Sequence, residues 1–93
     1  MRKEELAKLF MDGMIAQQGK LYEKSIKIFT DYLSLVNDPD DLEVAYRYRG
    51  ESYMYIGERE KGIADWKKAV DLGNELLVDD LKTLGINYTP QNN

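Results

Sequence analysis

Apolar residues return along this chain at spacings of three and four, and the runs are broken at Gly19, Asn37, Gly57 and Gly73. That period is helical, and it predicts five helices and no strand. The first should run from about Arg2 to Gln18, with Leu6, Leu9, Gly13 and Ala16 on one stripe and Gly19 as a left-handed stop. The second, about Tyr22 to Val36, carries Tyr22, Ile26, Phe29, Leu33 and Val36 on one face and Ile28, Tyr32 and Leu35 on another, so it should pack against two neighbours. The third, about Pro39 to Ile56, turns Tyr46, Gly50 and Tyr53 towards its partner before Gly57 ends it. The fourth, about Glu58 to Leu72, should bury Ile63, Trp66, Ala69 and Val70, with Trp66 where helices three, four and five meet. Gly73 stops it and Asn74 caps a fifth helix, about Glu75 to Gly85, whose Leu76, Leu77, Leu81 and Leu84 should face back.

Residues 13–37 laid over 50–74 reveal an internal repeat at an offset of 37 positions. Gly13 meets Gly50, Glu23-Lys24 meets Glu60-Lys61, Ile26 meets Ile63, Phe29 meets Trp66 and Asn37 meets Asn74. Helix pairs of this kind stack because one pair alone cannot bury its own apolar face. The second copy resembles the tetratricopeptide repeat. Tyr46 stands in the place of the signature Trp, Gly50 and Tyr53 fill the Gly and Tyr places, Gly62 replaces the inner Ala, Trp66 the Phe, and Asn74 the Pro, while Ala69 fits. The family period is about 34 residues, so the additional positions belong in the connection around Asn37–Asp41. The first copy is more divergent, with Ala16 where the family prefers Tyr.

The resemblance implies an all-α fold in one domain over residues 1–93: two antiparallel helix pairs (2–36 and 39–73) and a capping helix (75–88), wound as a right-handed α-α superhelix. Leu84-Gly85-x-x-Tyr88 reads as the opening of an unfinished third repeat, and Thr89-Pro90 then blocks further helix. The resemblance also implies a non-catalytic protein–protein interaction module. In that family a second face of each first helix lines a concave groove for a peptide or partner helix. Here that face takes Phe10, Met14 and Gln17 from the first helix and Arg47, Tyr48, Glu51 and Tyr55 from the third. Arg47 and Tyr55, eight positions apart, are expected to face nearly the same way. The bland alternative is that Phe10 and Tyr48 simply pack against each other. The lysine and asparagine clamp of the chaperone-tail binders is missing, because Phe10, Met14 and Tyr48 occupy the matching places. An aromatic groove with one arginine suits a segment with apolar anchors and an acid. Two complete repeats are few, so self-association is the alternative function; because Leu76–Leu84 can cap the second repeat internally, a monomer or weak homodimer is expected.

Composition narrows the chemistry. The chain has no His and no Cys, and its serines are Ser25, Ser34 and Ser52. This removes Ser-His-Asp and Cys-His catalysis, disulfides and Cys or His zinc sites, so no enzyme activity and no cofactor or metal is expected. Asp38-Pro39-Asp40-Asp41 fails as a calcium loop, because Leu42 and Glu43 fall where a ligand and a glycine are needed; Asp38 reads instead as a helix cap with Pro39 in the first turn. Seventeen acidic against thirteen basic residues, a net charge of −4, disfavours nucleic acid and anionic membranes. Tyr46-Arg47-Tyr48-Arg49 is the one run that could stack on bases, which leaves a nucleic-acid-binding adaptor as a weaker third reading. No apolar run suits a signal peptide or a membrane span, so a cytoplasmic protein is expected.

Overall fold

The computed structural model describes residues 1–91. Five helices are present among them and no strand: α1 (Lys3–Gln18), α2 (Tyr22–Leu33), α3 (Pro39–Tyr55), α4 (Arg59–Asp71) and α5 (Leu76–Thr83). The all-α reading holds, and consecutive helices pack as antiparallel neighbours. Ser25 lies against Gly13 and Phe29 against Phe10, so α2 runs back along α1. Tyr22 meets Tyr55, Ser25 meets Ser52 and Thr30 meets Arg49, so α3 reverses again. Gly50 meets both Gly62 and Trp66 across α3 and α4.

The punctuation follows from local chemistry. The Asp38 carboxylate accepts the N–H groups of Asp40 at 2.8 Å and Asp41 at 3.4 Å, with Pro39 as the first helical residue of α3. Asn74 Oδ1 accepts the Leu77 N–H at 3.2 Å and starts α5. Gly57 and Gly73 stop α3 and α4 at φ +82° and +113°, as the sequence indicates. The first stop differs. Gly19 keeps φ −81°, and Lys20 takes the left-handed conformation at φ +64°. The second helix also ends earlier than expected, at Leu33, and Leu35 is exposed while Val36 still reaches the core.

Two apolar centres result. One holds Phe29, Tyr32, Val36 and Ala45, with Leu6, Leu9, Phe10, Met14 and Tyr48 packed around them. The other holds Ile63, Ala69, Val70, Leu77 and Leu81, with Trp66, Ile86 and Tyr88 against it. The unfinished third repeat is not built as the sequence suggests. Gly85 at φ +84° ends the helical course, and Ile86 to Gln91 return along α4 instead of continuing a helix. Tyr88 donates its hydroxyl to Asp71 at 2.9 Å, the Gln91 N–H reaches the same carboxylate at 2.7 Å, and Arg59 donates to the Leu84 carbonyl at 2.9 Å. Tyr88 thus packs on the core from a strap and not from a helix. Burial, then the hydrogen bond to Asp71, push its phenol above the ordinary tyrosine value.

A largely buried ion pair closes the second helix pair, and its arginine also reaches the first. Arg49 Nε and Nη2 each lie 2.8 Å from the Asp65 carboxylate oxygens, and Arg49 Nη1 reaches Thr30 Oγ1 at 3.1 Å. One side chain of α3 thereby grips α4 and α2 together. The hydrogen bond to Asp65 outweighs burial and holds the Arg49 guanidinium charged. The Asp65 side chain is only 7% exposed and that of Arg49 18%, so removing one partner strands a charge with partial access to water. Asp65→Ala should therefore cost about 2–3 kcal/mol in denaturant unfolding, and Arg49→Met with Asp65→Leu should recover most of it. A loss below about 0.5 kcal/mol for Asp65→Ala would place the pair with ordinary surface bridges.

Candidate functional site

The residues that the sequence assigns to one groove occupy three different environments. Phe10 and Tyr48 belong to an aromatic cluster between α1, α2 and α3. Phe10 meets Phe29 edge-on at 5.4 Å and Tyr48 at 5.8 Å, and Tyr48 stacks on Phe29 at 5.7 Å. The bland alternative for that pair is the arrangement observed. Met14 packs against the same cluster. Beside it, burial first and then the charges of Asp41 and Asp38 raise the Tyr32 phenol above its ordinary value, so the ring stays neutral.

Gln17 is buried and internally satisfied. Its Nε2 donates to the Tyr48 carbonyl and to Ser52 Oγ, both at 2.8 Å. Ser52 then donates to Ser25 Oγ at 3.3 Å, and Ser25 to the Gly13 carbonyl at 3.0 Å. The chain of bonds crosses α3, α2 and α1, and no buried side-chain nitrogen or oxygen among the described residues lacks a partner. Tyr55, at 62% exposure, stacks on Tyr22 of α2 with ring centroids 4.6 Å apart. Arg47 points elsewhere, because eight helical residues turn about 800°, which is roughly 80° beyond a common direction.

Arg47 and Glu51 do line a groove. It measures about 610 Å³ and lies between α3 and α5, with Trp66, Asn74, Leu76, Leu77 and Asp80 completing its surface. The Trp66 indole lies against Gly50 and donates Nε1–H to the Arg47 carbonyl at 3.3 Å, leaving the ring only partly covered. One wall is braced to the other. Glu43 on α3 accepts from Asn74 Nδ2 at 2.8 Å, and Arg47 Nε lies 3.3 Å from the same oxygen of Glu43. Leu76 does not face back as the sequence suggests. It is 80% exposed at the groove, while Leu77 and Leu81 are buried. The signal was available: Leu77, Leu81 and Leu84 form an i, i+4, i+7 stripe, and Leu76 falls a quarter-turn outside it. Within Tyr46-Arg47-Tyr48-Arg49, both arginines are paired to carboxylates and Tyr48 is packed against Phe29.

Fold and groove define a short array of helical hairpins with an open cleft beside its last helix. Among curated proteins, the chain is similar to the photosystem I assembly protein Ycf3 of Synechococcus sp. (strain CC9902), with 29% identity over 85 residues, or 91% of this chain. It spans about half, 49%, of that relative's length. No protein-family model matches the chain, and no solved structure matches it. Among the described residues, no helix is long and apolar enough to cross a membrane.

The buried position of Gln17 yields a stability prediction. Gln17→Leu keeps the volume but leaves the Ser52 hydroxyl without its donor, so it should cost about 1–2 kcal/mol in thermal or denaturant unfolding. An unchanged melting temperature would return Gln17 to the surface.

Proposed function

We propose that the chain is a non-catalytic protein–protein interaction module that takes a segment of a partner into the groove between α3 and α5. The observation that carries this reading is a pre-braced groove with an apolar floor left open: Leu76 is exposed and Trp66 only partly covered between walls joined by the Glu43–Asn74 bond. Aromatic and leucine surface held in place before binding loses little ordering entropy on association. The similarity to a protein named for assembling a larger complex is in keeping with it. Of the residues first assigned to the groove, Arg47 and Glu51 remain contact candidates, joined by Trp66, Leu76, Leu77 and Asp80.

Self-association is the second reading, and one observation favours it. Met11, Ile15, Leu21, Tyr55 and Ile56 are exposed at 58, 60, 55, 62 and 40%. Clefts lined by Ile15, Leu21 and Ile28 and by Leu21, Tyr22 and Ile56 open on this side, away from the groove.

A photo-crosslinking residue placed at Leu76, and in a second protein at Lys27 on α2, separates the two readings in native extract. The groove reading predicts a heterologous product from position 76 and little from position 27. Equal capture from both positions would count against the groove, and products of twice the chain mass would favour self-association.

A further inference from the structure

The groove has a sign of charge, and it is opposite to the one that its arginine suggests. Arg47 is the only cation among the lining residues, and its charge is offset by Glu43, whose carboxylate lies 3.3 Å from Nε. Its guanidinium also lies over the Tyr48 ring, 5.0 Å from the centroid. Glu51 on the α3 wall and Asp80 on the α5 wall are the other charged lining residues, and neither has an ion-pair partner among the described residues. Two uncompensated carboxylates therefore line the groove on either side of an apolar floor of Trp66, Leu76 and Leu77.

Besides the offset Arg47, the positive end of α5 favours an anion here. It carries about half an elementary charge at most. The Leu77 N–H is already taken by Asn74 Oδ1, and Asp79 stands in the first turn. Two full carboxylates outweigh what remains of the dipole. The surrounding chain has the same sign, with a net charge of −4.

We infer that the groove selects a basic amphipathic segment of another protein: leucine-like anchors on the Trp66–Leu76 floor, and lysines or arginines on both flanks reaching Glu51 and Asp80. This rests on the reading of the groove as the partner site and adds the partner's chemistry to it. A segment with an acid opposite Arg47 would instead meet Glu43, Glu51 and Asp80 as like charges.

Trp66 is the single tryptophan of the chain and forms part of the groove, so its emission reports occupancy directly. The probes are two synthetic helices with the same leucines at i, i+4 and i+7, one flanked by lysines and the other by glutamates, titrated into the full chain. The lysine peptide should shift Trp66 emission, with binding that weakens as salt rises. Glu51→Gln and Asp80→Asn should each weaken it about two- to fivefold, with the melting temperature unchanged. A glutamate peptide that binds equally or better would overturn the charge selection while leaving the groove as a binding site. Undiminished lysine-peptide affinity in the double variant would overturn it too. Binding of neither peptide at about millimolar concentration would remove the groove reading together with this inference.

Discussion

Each helix pair is keyed by an aromatic ring from its second helix pressed onto a glycine of its first. A Cβ at Gly13 would lie 2.8 Å from Phe29 Cζ, and one at Gly50 would lie 2.5 Å from Trp66 Cδ1. Real Cβ atoms essentially never come that close to a neighbour, so only glycine lets the helices close to this distance. A second small residue completes the approach. Ser25 donates its hydroxyl to the Gly13 carbonyl, and at the equivalent place a Cβ on Gly62 would come within 2.8 Å of the Gly50 carbonyl. Glycine inside a helix is unfavourable by about 1 kcal/mol relative to alanine. Burying a large ring edge against bare backbone offsets that cost, with about 1.5–3 kcal/mol available from a fully buried large apolar side chain.

The same key does different work in the two repeats, because the neighbours differ. Phe29 is fully buried, since α3 lies over it and Tyr48 stacks on its face. Beyond α3 of its own pair, Trp66 has among the described residues only the short α5 as a helical neighbour, so part of the indole remains open to the groove. A core position in the first pair becomes a groove floor in the second. The strap from Gly85 to Gln91 turns back along α4 and leaves that side of the indole uncovered.

The helices, their caps and the glycine stops at 57 and 73 were legible because each depends on a few neighbouring residues. The repeat offset was legible for the same reason: Gly13 with Phe29 and Gly50 with Trp66 recur at one spacing. What escaped depends on partners distant in sequence. Gln17 looks like a surface amide until Ser52 and the Tyr48 carbonyl arrive beside it, 35 and 31 residues on. Arg49 looks like a free cation until Asp65 is brought against it. The groove face was only partly legible. Arg47 and Glu51 could be placed from the register of α3, whereas Asn74, Leu76 and Asp80 join them through the packing of α5. Tyr88 was misread because Leu84-Gly85-x-x-Tyr88 fits a repeat opening equally well, and Gly85 adopts a conformation that ends a helix.

The keyed contact is tested most directly by a double-mutant cycle on Gly50→Ala and Trp66→Leu, with unfolding followed by circular dichroism because the only tryptophan is altered. In the wild-type background, Gly50→Ala should destabilise the chain by about 1–3 kcal/mol through overpacking, despite the better helix propensity of alanine. In the Trp66→Leu background most of that penalty should vanish, giving a coupling energy of about 1 kcal/mol or more. A Gly50→Ala change that stabilised the wild type, or that cost the same in both backgrounds, would contradict the contact on which the helix pairs are built.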